Sequence, residues 1–272
     1  MTFLQALVLG IVQGLTEFLP VSSSAHLVVV PFILGWKIPP EQVFPFDVLV
    51  QLGTLLAVII FFWKDLWEIL RSFVSGLFHL KPFAEPGARL GWYLILATIP
   101  AVLLGLLVKD AVEAAFNSVL ATAGFLFLTA AFLLVGEYFG KQSRSFNNLG
   151  WLDALVMGIF QAISLFPGVS RSGSTIAGGM LRQLDRAAAA RFSFLMSVPV
   201  MLGAGALEVK DLLEQPDWLS FWPLIAVGFV AAAVCGYLSI RWMLHFVTTH
   251  SLRSFAVYCC AIAILTLVAY FI

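Results

Sequence analysis

The chain has 272 residues, 61% of them hydrophobic and only 11% charged, with a mean hydropathy of +1.00. A soluble domain carries about 25% charged residues, so this composition excludes a soluble globular fold and points to an integral α-helical membrane protein. The 15 basic and 15 acidic residues cancel; the balance gives no sign of a nucleic-acid partner, and none is expected.

The first predicted element covers residues 3–18. As a helix it would be about 24 Å long at 1.5 Å per residue, short of the ~30 Å hydrocarbon core of a bilayer. Pro20 stops it, and Ser22 to Ser24 can cap a second short helix that runs towards Gly35. The pattern is a helix–break–helix hairpin that enters and leaves on one side. Exposed backbone at the break would be costly in lipid, so it must face protein or water. The first Lys or Arg in the chain is Lys37, so a cleaved signal peptide is not expected.

Apolar runs follow near 45–63, 90–108 and 117–136, each approaching or exceeding what a bilayer core requires. Residues 139–152 form a polar, turn-rich linker. Then the opening segment returns. ALVMGIFQAISLFPGVSRSGS (154–174) matches ALVLGIVQGLTEFLPVSSSAH (6–26) at 10 of 21 positions without a gap, including Gln13/Gln161, Phe18/Phe166, Ser22/Ser170 and Ser24/Ser172. Pro167, Gly168 and Ser170 repeat the break. Three more apolar runs, near 190–208, 221–240 and 255–272, complete the chain. At an offset of 146, Phe46/Phe192, Leu49/Leu195, Lys64/Lys210, Asp65/Asp211 and Glu68/Glu214 also coincide, and Trp92/Trp222 marks a looser third pair.

The predicted fold is therefore all-α, with two repeats, 1–138 and 153–272, joined by the linker 139–152 in one membrane domain. Each repeat is a re-entrant hairpin plus three spanning helices. Three spans per repeat place the two repeats in opposite orientations, the inverted plan of many transporters. Basic residues agree. With residues 64–89 on the cytoplasmic side, that side holds 11 Lys and Arg, the outer side holds Lys37, Lys109 and Lys210, and Arg171 remains in a hairpin. Both termini then lie outside, and the hairpin tips meet within the membrane.

The differences between the copies define the candidate site. Only the first carries Glu17 and His26; only the second carries Arg171. An ionisable group in a membrane helix costs roughly 2.5–3.5 kcal/mol by insertion scales. The plainer account of these groups is a Glu17–Arg171 ion pair that clamps the hairpins. It does not explain the hydroxyls Ser22, Ser23, Ser24, Ser170, Ser172, Ser174 and Thr175, although capping accounts for Ser22 and Ser170. Phosphate chemistry explains more. Ser-rich breaks before helix N-termini bind anions, Arg171 offers a planar fork for phosphate oxygens, and Gly173 allows close backbone approach. Gln13 and Glu17 share a helix face and offer hard oxygens for a divalent cation, Mg²⁺ or Ca²⁺. A hydroxyl beside His26 could serve as nucleophile with a base.

Other polar residues read as ordinary. Cys235, Cys259 and Cys260 lie in apolar spans without metal-ligand spacing. His79, His245 and His250 fall in or near cytoplasmic loops. Lys64, Asp65 and Glu68 suit interfacial anchoring, and Asp47 and Gln51 are candidates to line the site.

The strings QGLTEFLPVSSSAH (13–26) and FPGVSRSGSTIAGG (166–179) closely resemble the two signature motifs of the undecaprenyl-diphosphate phosphatase family, the bacitracin-resistance membrane phosphatases. FDVLVQLGTLLAV (46–58) and RFSFLMSVPVMLGAGALE (191–208) resemble it too, so the likeness covers nearly the whole chain. The resemblance implies hydrolysis of undecaprenyl diphosphate to undecaprenyl phosphate and inorganic phosphate in the cytoplasmic membrane. That recycles the lipid carrier for cell-wall synthesis, from a site opening to the outer side. It implies functional roles for Gln13, Glu17, the Ser22–Ser24 run with Ser23 as favoured nucleophile, His26, Ser170, Arg171, Ser172, Gly173 and Thr175. Gln13 stands where many members have Glu, which weakens a two-carboxylate metal site, and Ala25 stands where Gly is frequent. Attack by Ser23, by His26 or by water activated by His26 all stay open, as do the metal and the oligomeric state. The rival function is a transporter or flippase for the same lipid.

Overall fold

The computed structural model describes residues 1–213 and 218–272. Glu214 and Asp217, together with the side chain of Asp211, lie outside the described residues. Among the described residues regular structure is helical, and the helices follow the sequence pattern: α1 (Phe3–Thr16), α2 (Ser23–Ile33), α3 (Pro40–Phe61), α4 (Trp63–Phe78), α5 (Pro86–Phe116), α6 (Val119–Phe139), α7 (Trp151–Ile163), α8 (Arg171–Leu181), α9 (Arg186–Leu213), α10 (Trp218–Thr249) and α11 (Arg253–Phe271). Segments of α5, α6, α9, α10 and α11 are each long and apolar enough to cross a membrane. Their outward faces are greasy: Leu103, Leu106 and Leu107 on α5 and Val257, Ile264 and Leu265 on α11 are exposed. This is a multi-pass membrane protein.

The first apolar run after the hairpin behaves differently from its counterpart. Helices α3 and α4 meet at Phe62 with a bend of 80°, and only together are they long and apolar enough to cross a membrane. On α4, Trp63, Trp67, Leu70, Val74 and Phe78 are exposed, at spacings of three and four that form one apolar stripe. Lys64, Asp65, Glu68 and Arg71 lie off that stripe. Such a helix suits the membrane interface rather than its core, which agrees with an anchoring role for Lys64, Asp65 and Glu68.

Both breaks fall where the sequence placed them. Helix α1 ends at Thr16, and Ser22 caps α2 by accepting a hydrogen bond from the Ala25 N–H. Helix α7 ends at Ile163, and Ser170 caps α8 by accepting from the Gly173 N–H. The repeat also exchanges partners. Helix α1 packs on α10 of the other half, and α7 packs on α5. Two equivalent glycines permit this. A Cβ at Gly10 would lie 2.4 Å from the Gly228 carbonyl oxygen, and one at Gly158 would lie 2.6 Å from that of Ala97. Each hairpin is thus held mainly by the opposite repeat.

Basic residues assigned to the cytoplasmic side tie the linker end together. Arg144 donates to Asp153 at 2.9 and 2.7 Å, and Arg182 adds a bond at 3.0 Å. Burial alone would raise the Asp153 carboxyl. Hydrogen bonds from Arg144, the Gly150 N–H and Arg182 outweigh it and hold the group below the usual carboxylate range. Arg186 forms a two-pronged pair with Glu137 at 2.7 and 2.6 Å, and the Leu252 N–H donates to the same carboxylate. The first set ties the linker and the end of α8 to the start of α7, and the second ties α6 to the starts of α9 and α11.

Candidate functional site

The two hairpin tips touch. The Ser172 hydroxyl donates to the Leu19 carbonyl at 2.9 Å, and the Gly168 N–H approaches Ser24 Oγ at 3.5 Å. Gly173 serves this contact. A Cβ there would stand 3.3 Å from Cβ of Pro20 and 3.1 Å from that of Ser170. The close approach seen here is between hairpins.

Glu17 is the hub. Oε1 accepts from Arg171 Nη2 at 2.7 Å; Oε2 accepts from Gln13 Nε2 at 2.7 Å and from the Ser23 hydroxyl at 2.6 Å. Gln13, Glu17 and Ser23 are buried. Helix periodicity brings Gln13 and Glu17 together, one turn apart. The break then turns the chain back so that Ser23, six residues on, meets the same carboxylate. This return passes through Ser22, which has φ +68° and ψ 97°, a conformation that a non-glycine residue adopts only under local constraint. The left-handed position thus falls on Ser22, three residues before Ala25.

Arg171 opens α8 and crosses to the first hairpin, with the ion pair to Glu17 largely shielded. Its other nitrogen reaches the Ser193 carbonyl at 3.4 Å. The hydroxyls of the second tip are mostly committed to architecture. Thr175 donates to the Arg171 carbonyl at 2.7 Å or shares a proton with Ser193 Oγ at 2.7 Å, and Ser174 donates to the Arg171 carbonyl at 3.1 Å. Ser170 and Ser172 hydroxyls lie 3.2 Å apart, as do those of Ser22 and Ser24 at 3.1 Å. Thr129 was not anticipated. Its hydroxyl donates to the Gly168 carbonyl at 2.7 Å and accepts from the Ser170 N–H at 2.8 Å. Thr129 and Ser193 are two of a few hydroxyls inside apolar runs, beside Thr122 and Ser197, and the sequence carried no signal that set them apart.

His26 stands apart from the carboxylate. Nδ1 is 2.7 Å from the Ser22 carbonyl, and Nε2 is 2.8 Å from the Tyr258 hydroxyl. Asp47 lines a different cavity of about 180 Å³, with Leu9, Leu27, Phe32 and Trp36. Gln161, the counterpart of Gln13, donates to the Ala97 carbonyl at 3.3 Å and takes no part in the hub.

Among the described residues no group of three His, Cys, Asp or Glu side chains clusters as for a metal ion. One feature does fit a divalent cation. Gln13 Oε1 is a buried carbonyl oxygen without a hydrogen-bond partner, on the same side chain that donates to Glu17. With that carboxylate it supplies two hard oxygens, and a phosphate ligand would have to supply more.

A buried acid–guanidinium–hydroxyl centre between two capped helix breaks defines a class: a polytopic membrane protein with an intramembrane polar site suited to an anionic headgroup. The comparisons agree. The family model for bacitracin resistance protein BacA matches residues 6–265, and the chain belongs to that family. A relative from Nocardioides sp., named undecaprenyl-diphosphatase, is 42% identical over 266 residues, covering 98% of this chain and 96% of its own. Relatives of the same name from Myxococcus xanthus (40% over 271 residues, 98% and 89%) and Rubrobacter xylanophilus (44% over 262 residues, 96% of each) are similar.

Proposed function

We propose that this protein hydrolyses undecaprenyl diphosphate to undecaprenyl phosphate and inorganic phosphate in the bacterial cytoplasmic membrane. Recycling of the lipid carrier and resistance to bacitracin, the property that names the family, follow from that activity. The observation that carries the reading is the Ser23–Glu17–Arg171 hub, a hydroxyl on a carboxylate that is itself paired with a guanidinium. The names of the relatives supply the substrate.

The geometry supports the following chemistry. As Ser23 Oγ attacks the terminal phosphorus, its proton passes to Glu17 Oε2 along the 2.6 Å bond. The bond from that phosphorus to the bridging oxygen breaks, and undecaprenyl phosphate leaves. Glu17 passes that proton to the departing lipid phosphate; water then attacks the phosphoserine, Glu17 takes the water proton and returns it to Ser23 Oγ as the phosphorus–Oγ bond breaks, and inorganic phosphate departs with Ser23 restored. Arg171 holds the phosphoryl oxygens and offsets the charge that grows on them. Ser170 and Ser22 hold the two helix N-termini towards the tips. A divalent cation, Mg²⁺ or Ca²⁺, would be held by Glu17 and Gln13 Oε1 and would neutralise phosphate charge. The two repeats lie in opposite orientations, with the first hairpin entering from outside. The exchange of α1 and α7 between repeats supports that plan.

The direct test is phosphate release in detergent by the purified protein. Detergent removes the compartments that a transporter needs, so release there requires an enzyme. No release above a Glu17→Ala control, from protein that binds the diphosphate lipid, would instead favour a lipid flippase.

A further inference from the structure

His26 is a member of the first motif, yet both of its ring nitrogens are engaged away from the reacting hydroxyl. Its Nδ1 lies 2.7 Å from a carbonyl oxygen, that of Ser22. A carbonyl can only accept, so Nδ1 carries the proton. In the neutral ring Nε2 is then an acceptor, and the Tyr258 hydroxyl, 2.8 Å away, donates to it. The two rings also stack, 5.7 Å between centroids and 5° from parallel. Tyr258 belongs to α11, 232 residues further along the chain.

Its ring borders a mostly apolar surface cleft lined by Leu15, Leu19, Val21, Trp242 and Phe246, with Thr16 and Ser254. A phenol in such a setting must find a partner inside the protein, and the partner it finds is His26. Ser22, the residue that His26 grips, is the one with φ +68°. Its carbonyl takes both the His26 ring bond and the His26 backbone N–H at 3.3 Å. The next residue is Ser23, whose hydroxyl rests on Glu17. Beside Tyr258, the Cys259 thiol donates to the Pro20 carbonyl at 3.6 Å, so α11 holds the tip on both sides of the constrained turn.

We propose that Tyr258 is a positioning residue: its hydroxyl keeps His26 in the Nδ1–H tautomer, and His26 keeps the Ser22 turn in the shape that seats Ser23 on Glu17. His26 then acts through the backbone and is neither nucleophile nor base. This assignment rests on the hydrolase reading above. It goes beyond it by giving one motif residue a different kind of role and recruiting a residue outside both motifs.

Tyr258→Phe keeps the ring and its stacking and removes only the hydroxyl. One neutral hydrogen bond predicts a fall in kcat of roughly three- to tenfold, with KM unchanged because no substrate contact is lost. Nitrogen-15 NMR of histidine-labelled protein without substrate should show His26 as the single Nδ1–H tautomer in the parent and as a mixture in Tyr258→Phe. His26→Phe identifies the signal. In a His26→Phe background, Tyr258→Phe should cost nothing further.

A full-rate Tyr258→Phe enzyme overturns the assignment. So does a slowed one whose His26 tautomer is unchanged, or one whose penalty is the same in both backgrounds. If the parent releases no phosphate, the hydrolase reading has failed. The substrate-free tautomer comparison then still decides whether Tyr258 holds His26.

Discussion

Removing the Ser23 hydroxyl separates a nucleophile from a mere hydrogen-bond donor. Glu17 accepts three bonds, from Gln13, Ser23 and Arg171. Ser23→Ala deletes one and leaves each carboxylate oxygen with a partner, so the fold should survive and Arg171 should stay in place. The deleted bond joins a neutral hydroxyl to a charged group, and such bonds contribute about 1.5–3 kcal/mol. If Ser23 only steadies Glu17, kcat should therefore fall roughly 10- to 150-fold. If Ser23 attacks phosphorus, the chemical step loses its nucleophile, and the fall should exceed about 10⁴-fold, as when other covalent nucleophiles are removed. The assay is inorganic phosphate release from undecaprenyl diphosphate in detergent, with kcat and KM determined separately and folding checked by size-exclusion chromatography. Acid quenching of the parent during turnover should also trap phosphate on Ser23. A Ser23→Ala enzyme within twofold of the parent rate would remove Ser23 from the mechanism. An intermediate loss without trapped phosphate would pass the attack to water activated by Glu17.

Other outcomes follow from the same hub. Arg171→Lys keeps the charge and loses the planar fork, so kcat/KM should fall at least about tenfold to a hundredfold; near-normal hydrolysis by a folded Lys variant would reject its role on the phosphate. Glu17→Gln should abolish phosphate release together with any stimulation by added Mg²⁺ or Ca²⁺, whereas a variant that keeps metal-stimulated activity would place the ion elsewhere. For the orientation of the repeats, a cysteine at Lys109 should react with an impermeant thiol reagent on intact cells, and cysteines at Lys81 and Asn147 should not, measured against the native-cysteine background. Labelling at position 147 from outside would break the three-span count.

The hairpins were legible because their signals are local. Pro20, Pro167 and the capping serines act within a few residues of the breaks they cause, and the duplication shows them twice. The Glu17–Arg171 pairing was legible for a different reason. Each charge is expensive in a membrane, and only the other repeat supplies its opposite. Long-range geometry was hidden. Nothing in the order of residues says that Ser23 rather than His26 reaches Glu17, because the answer depends on the turn at Ser22. Tyr258 reads as one more aromatic in an apolar run. The bend at Phe62 falls at the end of the apolar run read over 45–63, where Lys64 and Asp65 follow; what was hidden is that residues 63–78 form a helix whose apolar stripe suits the interface.

The division of charge between the repeats also explains why the site is assembled at the junction. Within the first repeat Glu17 has a hydroxyl and an amide for company, and within the second Arg171 has the Ser193 carbonyl. Neither repeat supplies a countercharge at its own tip, and a buried charge without one is costly. Joining the tips removes that penalty through the 2.7 Å ion pair and the Ser172–Leu19 bond. The pair itself adds little net stability, because its attraction is spent on desolvating both groups. What it provides is a poised arrangement. On the proposed reaction, a diphosphate entering between the tips would present anionic oxygens that Arg171 can bind, with Glu17 giving up part of its hold on the guanidinium. Substrate binding would then exchange partners on a single guanidinium at the junction of the two repeats.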